Sequence, residues 1–152
     1  MTSRAIAITL AGMAHLIHAT AVCIDGKGIL LTGEPGAGKS DLALRLIDQG
    51  ATLVGDDALV LEDGYLRAPA RLKGKIEARG IGILSLPHVA KAVPLALEIA
   101  LVPRVDVVRL PSLEEGGYGC PVLRLYAFDA STPMKVKHAA LQLSALRKAA
   151  AS

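Results

Sequence analysis

The 152 residues carry a formal charge of +3, with 52% hydrophobic and 20% charged side chains, a balance that suits one domain with its own core and excludes a largely disordered chain. There is no tryptophan and aromatic residues make up 3%, so the chain lacks the row of stacking platforms that a single-strand nucleic-acid binder needs.

The N-terminal residues loosely imitate a secretory leader, with Arg4, the run Ala5 to Ala14 and small residues from Ala19 to Ala21. His15 and His18 interrupt that run, so the region reads instead as two apolar strands, residues 5–10 and 15–24. No apolar run reaches the ~18 residues of a membrane span, and no membrane association is expected. From the residues alone, His18 on such a strand reads as structural rather than catalytic. Cys23 and Cys120 are too few for a disulfide framework and lack metal-ligand spacing, which points to buried free thiols in a reducing compartment. Asp25-Gly26-Lys27-Gly28 then turns the chain into a hairpin.

Gly28 to Thr32 is a short buried strand, and it runs into Gly33-Glu34-Pro35-Gly36-Ala37-Gly38-Lys39-Ser40. This stretch fits G-x-x-x-x-G-K-[ST] at every fixed position. Glycines that accept φ > 0 let successive N–H groups turn inward around an anion. Lys39 adds a point charge for β- and γ-phosphates. Ser40 offers a hydroxyl to Mg²⁺ and opens a helix whose positive end faces the same phosphates. Leu42, Ala43, Leu46 and Ile47 share one face of that helix, and Gly50 stands where a left-handed C-terminal residue belongs.

Ala51 to Asp57 is the next apolar strand, ending in the carboxylates Asp56 and Asp57. A strand lying next to the phosphate-loop strand delivers such acids to Mg²⁺ and to the attacking group, and one helix is the shortest right-handed crossover between them. Asp63-Gly64 marks a hairpin turn between Ala58–Glu62 and Tyr65–Ala68, expected at the sheet edge with Arg67 and Arg71 as surface charges. Ile76 to Ser85 sets Glu77 and Arg79 beside glycines in an apolar stretch. If buried, such charges must either pair with each other or contact a metal or phosphate.

Further along, strands are expected at Leu95–Val102, Val105–Leu110 and Val122–Ala127, with a loop over Pro111–Gly119. Asp129-Ala130-Ser131-Thr132-Pro133 signals a last helix to about Ala149. Lys135, Lys137, Arg147 and Lys148 follow Asp129 with no acid among them. They form either a solvated helix face or a docking surface for an acidic partner.

His18, the Gly33–Ser40 loop, Val54-Gly55-Asp56-Asp57 and Ile76-Glu77-Ala78-Arg79-Gly80-Ile81-Gly82-Ile83 together resemble the catalytic C-terminal domain of HPr kinase/phosphorylase. The E-x-R-G-[LI]-G segment after the paired aspartates carries the likeness, which is specific from His18 to Leu84. The resemblance implies an α/β fold spanning residues 1–152 as one domain: a P-loop kinase core similar to phosphoenolpyruvate carboxykinase, a mixed sheet with flanking helices. It also implies a short form without the N-terminal domain of longer members, which are hexamers. The implied activity is that of a cytoplasmic serine kinase, using ATP or sometimes pyrophosphate with Mg²⁺ to phosphorylate an HPr-like phosphocarrier protein and removing that phosphate by phosphorolysis.

By the same resemblance, Asp57 is the general base toward the seryl hydroxyl, Lys39 holds the transferring phosphoryl, and His18 is a nearby polar helper. Asp56, Ser40 and Glu77 serve the metal, and Arg79 neutralises charge or buttresses Glu77. Arg124 is the position onto which the partner-contacting arginine maps. Two other readings stand beside this one: an ATP-binding regulator with little turnover, and a small-molecule kinase, for which no arginine-rich lid segment is visible.

Overall fold

A computed structural model describes residues 13–151; the strand expected at 5–10 lies outside them. The strands are β1 (His15–Ile17), β2 (Thr20–Ile24), β3 (Lys27–Thr32), β4 (Thr52–Gly55), β5 (Leu59–Glu62) and β6 (Tyr65–Arg67). They are followed by β7 (Lys75–Ala78), β8 (Gly82–Ser85), β9 (Val93–Leu101), β10 (Glu114–Glu115) and β11 (Pro121–Leu125). The helices are α1 (Lys39–Asp48), α2 (Thr132–Leu141) and α3 (Leu143–Ala151).

Alternation along β3 sets the layers. Ile29 and Leu31 join a core with Leu42 and Leu46 of α1 and Val136 of α2. Leu30, one residue out of phase, packs on the opposite face with Leu59, Leu61 and Leu66 of the β5–β6 hairpin. The main sheet runs β1-β5-β6-β9-β3-β2-β4, with β11 on β9 and β10 on β11, while β7 and β8 form a separate hairpin. This is the mixed sheet with flanking helices that the sequence implied.

Local chemistry explains the turns. Asp25 and Gly26 (φ 53° and 74°) join β2 to β3, and Asp63 and Gly64 (φ 54° and 81°) join β5 to β6, the double left-handed geometry of a tight hairpin. At the end of α1, the Gly50 N–H donates to Ile47 O and the Ala51 N–H to Leu46 O, both at 3.0 Å. Gly50 has φ 105°, so this is the Schellman cap its position predicts.

Five expectations are corrected. The strand at 15–24 is broken at His18 and Ala19, because β1 pairs with β5 while β2 pairs with β3 and β4. β4 is not next to β3: the β2–β3 hairpin has taken that place, and the crossover through α1 passes over β2. The β5–β6 hairpin is not the edge, since β5 pairs with β1 and β6 with β9. Val105–Leu110 is not a strand; the free side of β9 is taken by β11. Val105, inside the single turn Arg104–Asp106, and Leu110 beyond it are both exposed. The last helix is broken at Gln142, where the bend returns Leu143 to the core.

Candidate functional site

β3 and β4 both run antiparallel to β2, so they run parallel to one another and their carboxyl ends open on one edge of the sheet. That edge is where α/β sheets bind ligands. It brings the Gly33–Ser40 loop, at the end of β3, against Asp56, which follows β4.

The loop needs its glycines for different reasons. Gly36 has φ 84° and open space around it. Gly38, at φ 101°, is the N-cap of α1, and a Cβ there would stand 2.8 Å from both Ala127 Cβ and Phe128 Cζ. A Cβ on Gly33 would meet Leu101 O at 2.9 Å. Glu34 and Pro35 form the exposed crest and Ala37 is half-buried; the Ala37 N–H donates to Glu34 O at 3.0 Å. Lys39 Nζ folds back over its own loop, donating to Gly33 O at 2.9 Å and Glu34 O at 3.2 Å.

Asp56 is the buried acid of the pair, with three donors on its carboxylate. Ser40 Oγ donates to Oδ1 at 2.6 Å, Thr20 Oγ1 donates to the same oxygen at 2.9 Å, and the Glu77 N–H donates to Oδ2 at 3.1 Å. Thr20, buried on β2, escaped the sequence reading. Its one signal was a hydroxyl inside an apolar strand, and its partner lies 36 residues away.

Asp57 behaves differently. The Ala58 N–H donates to Asp56 O at 2.8 Å, closing a γ-turn on Asp57 with φ 67°. Its own N–H makes only a long contact to Thr20 Oγ1, 3.5 Å, and the residue is exposed. Backbone in this rare region tends to mark functional positions.

The remaining site residues are less tightly gathered. Glu77 reaches the cluster through its backbone, but Glu77 and Arg79 are exposed, which corrects the expectation of charges inside an apolar stretch. No ion pair joins them among the described residues. Ile76 and Ala78 take the buried positions of β7, so the alternation of the hairpin turns Glu77 outward. His18 is exposed at the break between β1 and β2, not within a strand. Arg124 is exposed on β11 beside Glu114, at 3.4 Å.

Mg²⁺ prefers one or two protein ligands completed by phosphate oxygens and water, and the residues here fit that pattern. Ser40 spends its proton on Asp56 and keeps its oxygen lone pairs. Among the described residues no three His, Cys, Asp or Glu side chains gather into an all-protein metal cage. Both cysteines are free, Cys120 buried and Cys23 half-buried, and burial pushes the Cys23 thiol up from its ordinary value. Among the described residues, no helix is long and apolar enough to cross a membrane.

Residues 10–106 match the sequence profile of the HPr Serine kinase C-terminal domain. The HPr kinase/phosphorylase of Aromatoleum aromaticum is 38% identical over an alignment of 128 positions that covers 71% of this chain and 40% of that protein. That of Clostridium novyi is 45% identical over 75 residues, 47% of this chain and 24% of that protein. The chain therefore spans well under half the length of these curated relatives. Among solved structures, the HPr(Ser) kinase/phosphatase of Coxiella burnetii superposes with a TM-score of 0.74 at 28% identity, covering 89% of this chain and 93% of that one.

Proposed function

This chain belongs to the HPr serine kinase C-terminal domain family, and from that premise we propose that it is a cytoplasmic, ATP- and Mg²⁺-dependent kinase acting on a serine of an HPr-like phosphocarrier protein. The observation that carries the reading is the 2.6 Å hydrogen bond from Ser40 to Asp56, which joins the phosphate loop to the paired acids.

Phosphoryl transfer asks little covalent chemistry of the protein and much positioning. The amides of Gly33 to Ser40 hold the phosphates, and Lys39 leaves Gly33 O and Glu34 O to pair with the transferring group. Asp56, tied down by three donors, orients Ser40. Mg²⁺, when bound at Ser40 with Asp56 and Glu77 near it, supplies charge neutralisation for the phosphate oxygens. Asp57, exposed and uncommitted to Ser40, takes the proton of the incoming seryl hydroxyl as the serine oxygen bonds to the γ-phosphorus and the bond from that phosphorus to the bridging oxygen breaks, releasing ADP. In phosphorolysis the same acid returns that proton to the serine oxygen as inorganic phosphate displaces it, releasing pyrophosphate. His18 and Arg79 complete the polar surroundings, and Arg124 meets the partner.

Labelled ATP, Mg²⁺ and the host's phosphocarrier proteins test this directly. Wild type is expected to label a serine, with labelling lost in Lys39→Ala and Asp57→Asn. ATP binding without any labelled protein would replace the kinase by an ATP-binding regulator. Unchanged labelling in Asp57→Asn would remove Asp57 as the base.

A further inference from the structure

The chain contains three tyrosines and one phenylalanine, and Tyr126 and Phe128 sit on one short loop between β11 and α2. Their rings meet edge to face, centroids 5.7 Å apart at 73°. Phe128 is 52% exposed, although its ring already touches the phosphate loop: Gly38 has no room for a Cβ on that side.

The loop is clamped from several directions. Arg104 lies 4.5 Å over the Tyr126 ring and pairs with Asp129 at 2.5 Å. Arg45 of α1 donates to the carbonyls of Ala127 and Asp129, and Thr132 Oγ1 donates to Tyr126 O at 2.6 Å. These contacts fix the chain on both sides of Phe128, so the loop that presents its ring is ordered before any ligand arrives.

Topology gives the loop its direction. β11 runs parallel to β9, and β9 parallel to β3. The end of β11 therefore opens on the same sheet edge as the phosphate loop, on the flank away from β4 and Asp56. A triphosphate in the loop would have its reacting end toward β4 and the rest of the molecule toward β11.

We propose that the Tyr126–Asp129 loop, with Phe128 as its exposed face, is the stacking platform for the base of the nucleoside triphosphate whose phosphates occupy the Gly33–Ser40 loop. This rests on the phosphate-binding reading and extends it. Every base has a π-face, so a ring of this kind gives affinity for nucleoside over bare phosphate chains with little choice among bases.

The test compares Mg-ATP with magnesium pyrophosphate, which lacks the base. Tryptophan is absent from the chain, so Phe128→Trp supplies a single tryptophan that can be excited apart from the tyrosines, its emission expected to be quenched by ATP and left unchanged by pyrophosphate. In calorimetry, Phe128→Ala and Phe128→Leu are expected to weaken ATP about tenfold more than pyrophosphate; the leucine keeps bulk against Gly38 and controls for a disturbed loop. Equal weakening of both ligands, or loss of neither, overturns the platform. Wild type binding pyrophosphate but not ATP would also overturn it while leaving the phosphate site intact. Pyrophosphate binding that survives Lys39→Ala unchanged would instead sink the phosphate reading itself.

Discussion

Ser40 Oγ stands 2.6 Å from Asp56 Oδ1 even though the strands that carry these residues to the site are not neighbours. β2 lies between them, and its own Thr20 supplies a second hydroxyl to the same carboxylate oxygen. The intervening strand therefore takes part in the site.

Asp56→Asn should cost about 1–3 kcal/mol of stability, because an amide presents two protons where the fold supplies only donors. Urea denaturation measures that loss. Calorimetry with ATP should show the Mg²⁺-dependent part of the affinity falling, while binding in EDTA changes little.

Thr20→Val removes one donor from Asp56 and leaves a side chain of similar shape. The expected cost is about 1 kcal/mol in denaturation, together with a several-fold loss of affinity for Mg-ATP. Thr20→Ser should restore most of the affinity; failure of the serine to do so would assign Thr20 a packing role only.

At Asp57 the usual order of alanine and glycine should reverse. With φ 67°, Asp57→Ala carries the left-handed strain that Asp57→Gly escapes, so the glycine variant should be the more stable by about 1 kcal/mol. Both should lose phosphoryl transfer. Thermal melts read the first effect and serine labelling the second.

Gly36→Ala and Gly38→Ala separate backbone strain from crowding. The first meets no atom and should cost about 1 kcal/mol for its positive φ. The second must also displace Ala127 or Phe128, and should cost at least about 2 kcal/mol. Equal midpoints in a melt would contradict the contact with Phe128.

Cys23 is predicted to be a slow nucleophile. Desolvation by burial raises its pKa, the charge of Asp25 adds to the rise, and a hydrogen bond from the Gly26 backbone opposes it. The thiolate is the reactive form, so in a Cys120→Ser background the profile of alkylation rate against pH should lie at higher pH in the folded protein than in urea.

The turn geometry of the Gly33–Ser40 loop, the hairpin turns at Asp25-Gly26 and Asp63-Gly64 and the cap at Gly50 were legible because their chemistry is local. A positive φ or a helix end demands particular residue types within a few positions, and nothing remote has to be known. The acids at the end of β4 were legible as a pair for the same reason, although the sequence did not say which would be buried.

What the sequence left open depended on neighbours in space. Val105–Leu110 looks apolar enough for a strand, yet β11 had already claimed the edge of β9, and backbone without a partner does not form a ladder. The apolar run from His15 to Ile24 gives no local sign that its halves serve different strands. Glu77 and Arg79 looked buried because apolar residues surround them, but a hairpin alternates its faces and turned them to solvent. Residue types and short spacings alone determined the glycine-rich turn of residues 33–40, since positive φ at Gly33, Gly36 and Gly38 is a local demand. Strand order, and with it the meeting of Thr20, Ser40 and Asp56, was decided by tertiary packing, because hydrogen bonds between strands and burial of side chains are settled between segments far apart in the chain.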